Sequence, residues 1–445
     1  MKIVFFSPFA RVSAIGRVTA LLVDALDRQG HTSVVVRTER ESLLDLPPHS
    51  VAVPVLPWID EEQVRAVAQD ADAIVYQMGN NYGFHRGGLH WMPLLPGVLC
   101  LHDFVLAHLF AEWADHHREQ AESALEDWYG SSAVQGFFEA CASTPQRFSD
   151  VASRHYPLTE WICTEALAVV AHSDWGMDRV QSACAGPLRV LPLPYDAPGA
   201  SGPAQDARTS LAEDKVRVLT VGHVNTNKRI DSVIRAIGAS PILRSRVSYR
   251  LCGLVQARTA EELAALARSL GVDLIISGEC DDASLQLAMI EADIACCLRW
   301  PSFESASATA IEALLYGKAV VVTDAAFYRE LPDHVVRKIP PDVEEVSVLM
   351  RVLEEWVQDP QARRSLATTA QHWARERFNP DHYVRQLLAL APQVAVARPV
   401  IEMARQLGAM VEGWNGAPAL LAAEQLVEPL RIFQTAPPAA PEKPS

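Results

Sequence analysis

Two glutamates, Glu304 and Glu312, stand eight positions apart in the run FESASATAIE and could bind one extended ligand. On a helix, eight residues rise ~12 Å, which is too far for the two carboxylates to share a proton or a metal ion. Free backbone N–H groups at a helix start between them would favour an anion such as a diphosphate. A sugar nucleotide has this layout, with hydroxyls on both sides of a diphosphate. The alternative is that Glu304 caps a helix and Glu312 is solvated.

The residues around the two glutamates predict a βαβ unit. Short apolar runs predict buried strands at 294–298 and 319–322. An apolar stripe at i, i+3, i+6 and i+7 predicts the helix, and it consists of Ala308, Ile311, Leu314 and Leu315. Ser305 or Ser307 suits the N-cap, and Gly317 suits the C-terminal stop. Ligands bind where loops leave the carboxyl ends of such strands, so we expect Glu304 at the mouth of the helix and Glu312 about two turns further in.

The run FESASATAIEALLYGKAVVVTD, followed by ELPD, resembles the Glu-x7-Glu signature region of retaining glycosyltransferases of family four. Members have the GT-B fold, an α/β architecture in which two Rossmann-like domains face each other across a cleft. The resemblance implies that Glu304 contacts the donor sugar and Glu312 the nucleotide ribose. The backbone N–H groups of Ser305, Ala306 and Ser307 would then face the donor diphosphate.

The segment GHVNTNKR follows a predicted strand and resembles the family's Gly-Arg-…-Lys segment, whose basic pair grips the donor diphosphate. The strand ends at Gly222, and Lys228 matches the family's lysine. His223 stands where many members have arginine. Arg229 is therefore the candidate for supplying the missing permanent charge. The resemblance implies a catalytic role for Lys228 and donor binding by the other three residues.

Three candidates come from the first half of the chain. Gly16 stands between a predicted strand and helix, where it permits close approach of a ligand to the backbone or forms a tight turn. His102 and Asp103 follow the apolar run VLCL. A lone histidine after a strand is often a structural residue, but the position of His102 matches the family's active-site histidine, which lies by the donor sugar. The resemblance therefore implies a catalytic role for it.

The run GNNYGFHRGGLHWMPLLPGVLCLHDFVLAHL resembles one in bacterial family members that build surface polysaccharides. By this resemblance, Asn80 and His85, at the exit of a predicted strand, and Asp103 are candidates for the acceptor side.

The sequence predicts no metal site. Asp70 and Asp72 form a D-x-D pair, but they precede a strand rather than follow it, so we interpret them as solvated residues at a helix end. His and Cys residues show no metal-ligand spacing, and no Ser/His/Asp or Cys/His nucleophile set is visible. We expect metal-independent transfer with no cofactor beyond the nucleotide-sugar donor.

Composition restricts the partners and the compartment. The 445-residue chain has a net charge of −15, and residues 1–197 hold 13 Lys/Arg against 24 Asp/Glu, which argues against nucleic acid and a polybasic membrane anchor. No signal-peptide order is visible, and we expect no apolar run of ~18 residues that could span a bilayer. The eight cysteines show no CxxC pair and predict buried free thiols. We therefore expect a cytoplasmic protein with at most peripheral membrane association.

The order of predicted elements divides the chain into two α/β halves and a C-terminal part. The predicted segments are an N-terminal acceptor-side domain at 1–197 with a helical insertion at 104–165, a linker at 198–212, a nucleotide-sugar-binding domain at 213–375, a cross-over helix at 376–397, and an extension at 398–445 that is partly helical and then disordered.

The function that these features favour is retaining transfer of a sugar from a nucleotide-diphosphate donor to an acceptor hydroxyl on a glycan, a lipid-linked glycan or a glycosylated natural product. The rival is a non-catalytic GT-B protein that binds glycan or serves another transferase as a scaffold. His223 and the single Gly16 favour that rival. Four matching residues weigh against it: Glu304, Glu312, Lys228 and His102. A hydrolase or epimerase is a third reading, for which no suitably spaced acid/base carboxyl pair is visible.

Overall fold

The computed structural model describes residues 1–199 and 215–412, which fall into two compact units. One unit consists of Met1–Pro192 and the residues from Pro380 onward, and the other is Leu193–Asn379. Each is an α/β unit built on a parallel sheet, as the sequence predicts. Most of the predicted linker at 198–212, and the part of the predicted extension that follows residue 412, lie outside the described residues.

The sheet of the first unit has seven strands among the described residues. They are β1 (Lys2–Ser7), β2 (Thr32–Arg37), β3 (Val55–Pro57), β4 (Ala73–Met78), β5 (Val98–Leu101), β6 (Ala168–Ala171) and β7 (Leu188–Val190). Their order is β3-β2-β1-β4-β5-β6-β7, and all pairs are parallel. The order reverses between β1 and β4, and ligands bind at such a switch point, outside the carboxyl ends of the strands.

Helices cover this sheet, and their buried faces explain why its strands read as continuous apolar runs. The helices are α1 (Ala14–Arg28), α2 (Glu61–Gln69), α3 (Tyr82–Trp91), α4 (Ala107–Ala114), α5 (Arg118–Tyr129), α6 (Ser132–Cys141), α7 (Pro145–His155), α8 (Thr159–Cys163) and α9 (Met177–Ala183). The helices α4 to α8 occupy the segment for which the sequence predicts a helical insertion. Their aromatic rings pack against one another: the Phe110 ring lies 5.4 Å from that of Phe137 and 4.9 Å from that of Trp161.

The second unit repeats this plan. Its strands are β8 (Val216–Val221), β9 (Val247–Cys252), β10 (Leu274–Ile276), β11 (Ile294–Cys297), β12 (Ala319–Thr323) and β13 (Val336–Ile339). Its helices are α10 (Ile230–Ala239), α11 (Pro241–Arg246), α12 (Ala257–Leu270), α13 (Asp282–Glu291), α14 (Ala308–Leu315), α15 (Ala326–Glu330), α16 (Glu345–Gln358) and α17 (Pro360–Arg377). The parallel order β10-β9-β8-β11-β12-β13 has its switch point between β8 and β11.

The C-terminal helix α18 (Pro380–Glu412) belongs to the first unit. The sequence predicts one cross-over helix at 376–397, whereas the structure ends α17 at Arg377 and starts a new helix at Pro380. Proline has no N–H to continue a helix, and it disfavours helical geometry in the residue before it. Near its start α18 is fixed to the first unit, where Arg28 NH2 donates to Asp381 Oδ1 at 2.7 Å.

One prediction about apolar runs needs correction. By length and composition, the helical stretch Pro360–Met410 contains an 18-residue window apolar enough to cross a membrane, and 28% of that window is buried. The expectation that the chain has no such run is wrong by this test. Core helices pass the same test, so it does not make the stretch a membrane span.

Candidate functional site

The switch point of the second sheet brings together the loops that follow β8 and β11. Hydrogen bonds join the two loops directly: the Trp300 N–H donates to Asn227 O at 2.8 Å, and Asn227 Nδ2 donates to Pro301 O at 3.1 Å. The first loop carries Lys228 in a 3₁₀ turn, Thr226–Lys228, and the second carries Glu304. Two of the three predicted catalytic residues are thus held at the edge where such sheets bind ligands.

Lys228 is buried at the end of β8. Its Nζ donates to Val221 O at 2.5 Å, and a Cβ added at Gly222 would lie 3.0 Å from the same Nζ. Gly222 has φ +94°, a conformation that favours glycine, so the turn itself makes room for the ammonium. The pKa of Lys228 is lowered to about 7, mainly by burial and also by the positive charge of Arg299, while the negative charge of Glu304 acts in the opposite direction.

Glu304 is held by two donors. The Arg299 Nε donates to Glu304 Oε1 at 3.2 Å, and the Tyr328 hydroxyl donates to the same oxygen at 2.6 Å. Arg299 lies two residues beyond β11, and its own N–H donates to Thr323 Oγ1 at the end of β12, at 2.8 Å. The carboxylate orientation is therefore set by groups fixed to two neighbouring strands.

Helix α14 begins as the sequence predicts, with Ser307 as N-cap: its Oγ accepts from the Ala310 N–H at 3.4 Å. Ser305 and Ala306 are buried in the preceding loop. Glu312 is also buried, at 6% exposure, which excludes the solvated alternative. The expectation that Glu312 lies about two turns inside the helix is wrong, because α14 starts only at Ala308 and leaves Glu312 just over one turn from its start.

Arg229, the candidate for the missing permanent charge, pairs with a carboxylate of its own unit. Arg229 has φ +53°, and its Nε lies 3.0 and 3.1 Å from the two carboxylate oxygens of Glu345 at the start of α16. This buried partner holds the guanidinium. His223 is exposed.

In the first unit, Gly16 lies inside the first turn of α1 rather than at its junction with the loop, because Ser13 is the N-cap and accepts from the Gly16 N–H at 3.0 Å. A Cβ at Gly16 would lie 2.8 Å from Pro8 O and 2.9 Å from the His49 ring. The glycine is therefore needed for close packing of α1 on the loop after β1, and its contact with a ligand stays a prediction.

In the first unit, Asn80 and Asp103 are hydrogen-bonded to each other beside the switch point between β1 and β4. The Asn80 N–H donates to Asp103 Oδ2 at 2.8 Å, and Asn80 Oδ1 accepts from the N–H groups of His108 and Leu109 at 2.9 and 3.0 Å. Asn80 therefore caps the start of α4. His85 lies inside α3 and is only 2% exposed; its Nε2 accepts from the Gly79 N–H at 3.0 Å, and burial lowers its pKa to about 3.

His102 is buried after β5 and has two polar neighbours. Its Nε2 lies 2.7 Å from Gln77 Oε1, and its ring centroid lies 5.0 Å from that of His172, which follows β6. Burial lowers the pKa of His102 well below its usual value, and His172 and His85 lower it further. With the Gln77 amide placed in this way, Nε2 carries the hydrogen of a neutral ring and Nδ1 carries the lone pair.

Sequence reasoning missed Arg299, Tyr328 and His172. His172 stands directly after β6 and Arg299 two residues after β11, close to the end of a buried strand as His102 is, so the same signal could have found them. Tyr328 is in α15, 24 positions from the carboxylate it contacts, and nothing local in the sequence indicates that contact.

Within residues 1–199 and 215–412, no group of three or more His, Cys, Asp or Glu side chains is arranged to hold a metal ion. Asp70 ends α2 and is exposed, in agreement with the prediction for the D-x-D pair. All eight cysteines are free thiols, and six of them are buried.

The comparisons with known proteins fit this geometry. Residues 203–373 match the family described as Glycosyl transferases group 1. This stretch is a glycosyl transferases group 1 domain. It contains Lys228, Arg299, Glu304 and Glu312, so the switch point of the second sheet lies in the part of the chain that the family describes. No curated protein matches the sequence.

Solved structures match the fold of nearly the whole chain. Sucrose-phosphate synthase from Thermosynechococcus elongatus is 16% identical, with a TM-score of 0.61, over 89% of this chain and 100% of that one. Anabaena Alr3699/HepE in complex with UDP and glucose is 18% identical, with a TM-score of 0.59, over 87% and 98%. WaaG, a glycosyltransferase involved in lipopolysaccharide biosynthesis, is 18% identical, with a TM-score of 0.57, over 86% and 98%. The chain therefore has the GT-B fold. That the predicted residues of the two units line one cleft stays a prediction.

Proposed function

We propose that this chain is a retaining glycosyltransferase that moves a sugar from a nucleoside-diphosphate donor to an acceptor hydroxyl. The observation that carries the proposal is that a buried lysine, Lys228, and an oriented carboxylate, Glu304, lie on the two hydrogen-bonded loops at the switch point of the group 1 domain. A buried lysine is costly because burial disfavours its charged form, so its place at a ligand-binding edge indicates a task for that charge.

The negative charge that develops during sugar transfer explains why a positive group is needed at this edge. Breaking the bond between the sugar and the phosphate leaves negative charge on the departing diphosphate. Positive groups fixed in advance near this charge stabilise the transition state more than the ground state. Lys228 and the N–H groups at the start of α14 are such groups. The acceptor oxygen bonds to the anomeric carbon on the face that the phosphate leaves, and its proton passes to the leaving phosphate, so the protein needs neither a nucleophile nor a base of its own.

The remaining residues position the donor. Glu304 binds sugar hydroxyls, and Glu312 binds the ribose hydroxyls. His102 acts as a neutral ring, whose Nδ1 lone pair accepts a hydrogen bond from the sugar. Asn80 and Asp103 belong to the acceptor side. His85 acts there only through Gly79, since it is buried.

We also propose that transfer is metal-independent, with Lys228 supplying the positive charge that faces the diphosphate, and that the chain works in the cytoplasm. The acceptor is a glycan or another hydroxyl compound. A uridine nucleotide is the first donor to try, because Anabaena HepE is a structural match solved with UDP and with UDP-glucose.

A thermal-shift screen across nucleotide sugars tests the proposal. A ligand at 100 times its Kd stabilises the folded state by ~2.7 kcal/mol, which is a shift of a few degrees for a chain of this size. We expect one nucleotide sugar to stabilise the chain without added metal. Transfer that EDTA abolishes and Mg²⁺ or Mn²⁺ restores would contradict the role of Lys228.

A non-catalytic scaffold is the second candidate, favoured by the exposed His223 and by the Glu345 pairing that holds Arg229. Such a protein would bind a nucleotide sugar or a glycan without releasing free nucleoside diphosphate. An assay for that release, run with and without candidate acceptors, separates the two functions.

A further inference from the structure

Arg299 is a second cation at the edge that holds Lys228. It lies two residues beyond β11, and its backbone is fixed by the hydrogen bond from its N–H to Thr323 Oγ1. Its side chain is 16% exposed. The hydrogen bonds of the next two residues to the loop after β8 hold Arg299 and Lys228 close enough that Arg299 lowers the pKa of the lysine.

The guanidinium of Arg299 uses only part of its hydrogen-bonding capacity. In the described part of the chain its one hydrogen-bond partner is Glu304, which accepts from Nε. Neither terminal nitrogen has a hydrogen-bond partner in the described part of the chain, yet neither is a fully buried orphan. Both therefore reach accessible space. A guanidinium presents its donors as a planar fork that matches two oxygens of a phosphate. Arg299 can therefore orient Glu304 with one edge and bind an anion with the other.

The donor site needs such a group. His223 stands where many family members have an arginine, so this position carries no permanent positive charge. The Arg229 guanidinium is bound to Glu345. Lys228 is only partly protonated at neutral pH because its pKa is about 7. A guanidinium keeps its charge throughout this range.

We propose that Arg299 binds the donor diphosphate through its terminal nitrogens while its Nε holds Glu304 against the donor sugar. The inference rests on the proposed function and assigns to Arg299 the permanent charge that residues 223 and 229 do not supply. Arg299 thus couples diphosphate binding to the position of the carboxylate that contacts the sugar.

Binding of UDP and uridine to the full chain tests the inference, with GDP/guanosine and ADP/adenosine as parallel pairs. Each pair differs only in the diphosphate, so the ratio of the two Kd values isolates that contact. We expect Arg299→Gln to lower the wild-type preference for the diphosphate about ten- to hundredfold and to leave nucleoside binding unchanged. Arg299→Lys restores the charge but not the fork, and should recover only part of the preference. Arg258→Gln is the matched control, since it removes an exposed guanidinium from α12 of the same unit.

Tyr328→Phe separates the two proposed roles of Arg299, which are binding of the diphosphate and orientation of Glu304. It removes the other hydrogen bond to Glu304 without changing the charge of the site. It should lower kcat and leave the diphosphate preference at the wild-type value. If Arg299→Gln does not fold, Arg299→Lys carries the test, and an unchanged preference in that variant would overturn the inference.

An Arg299→Gln variant that folds and keeps the wild-type preference would overturn the inference and leave the proposed function standing. A wild-type chain that shows no preference for any nucleoside diphosphate over its nucleoside would instead overturn the proposed function, and the inference with it.

Discussion

Lys228 has a pKa of about 7 because it is buried beside Arg299, so the free protein holds a partly protonated amine. A bound diphosphate favours the charged form, and binding at pH 8 should take up close to one proton. The affinity should fall as the pH rises above 7, because the amine must then be protonated at increasing cost. Calorimetry in two buffers of different ionisation enthalpy measures this uptake. Lys228→Met should abolish it, and equal uptake in that variant would assign the proton to another group.

The lowered pKa of Lys228 also predicts how the stability of the protein depends on pH. The folded-state pKa of Lys228 is lowered from its usual 10.5, so the protein carries a cost that is fully present below pH 7 and disappears as the pH rises to 10.5. Lys228→Met should therefore unfold at a higher temperature than wild type at pH 6, and the difference should shrink toward pH 10. A variant that melts at or below the wild-type temperature at pH 6 would show that burial of the charged amine does not destabilise the protein.

Kinetics separate three residues of the donor site. Lys228→Ala removes a charge that acts mainly on the leaving diphosphate, so kcat should fall by ~10²–10³. Glu312→Ala loses contacts made equally in the ground and transition states, so donor KM should rise with kcat nearly intact. Glu304→Ala should lower kcat, because a misplacement of the sugar by ~1 Å can cost ~10²-fold in rate. Initial rates for the three variants, with Arg258→Ala as control, test these roles.

The turn after β8 makes a prediction at the scale of an element. Gly222 and Gly278 both have positive φ, at +94° and +70°, but a Cβ meets Lys228 Nζ at the first and nothing within 4 Å at the second. Alanine at either site should cost ~1–2 kcal/mol of stability from the backbone alone. Gly222→Ala should also displace the ammonium and lower transfer, whereas Gly278→Ala should not. Equal transfer by the two variants would contradict the placement of Lys228.

Elements whose apolar residues recur with a clear period could be predicted from the sequence, and so could the candidate site residues that follow them in the chain. In α10 the apolar residues Ile230, Val233, Ile234 and Ile237 recur with a helical period and are buried, and the βαβ unit around Glu304 forms as predicted. The break before α18 was missed because the periodic pattern runs across Phe378 and hides the effect of Pro380. Contacts distant in sequence, such as that of Tyr328 with Glu304 and that of Glu345 with Arg229, could not be predicted, because register and packing in three dimensions decide them.

At the scale of the whole molecule, the residues proposed to bind the diphosphate and the ribose lie within one continuous unit, Leu193–Asn379, which has its own apolar core. A fragment of residues 193–379 should therefore fold and bind a nucleoside diphosphate with an affinity near that of the full chain. It should not transfer sugar, because His102 and the acceptor-side residues belong to the other unit. A folded fragment that fails to bind the nucleotide, while the full chain binds it, would place part of the donor site outside this unit.

Release of nucleoside diphosphate from a nucleotide sugar, measured for wild type and Glu304→Ala side by side, tests the central claim most directly. The account predicts that wild type releases the nucleotide when an acceptor is present and that Glu304→Ala is ~10²-fold slower. The rates are compared at saturating donor, because the substitution also removes the carboxylate that binds Arg299 and raises the pKa of Lys228, and so changes the affinity for the diphosphate. Equal rates of release by the two proteins would contradict the account at its centre.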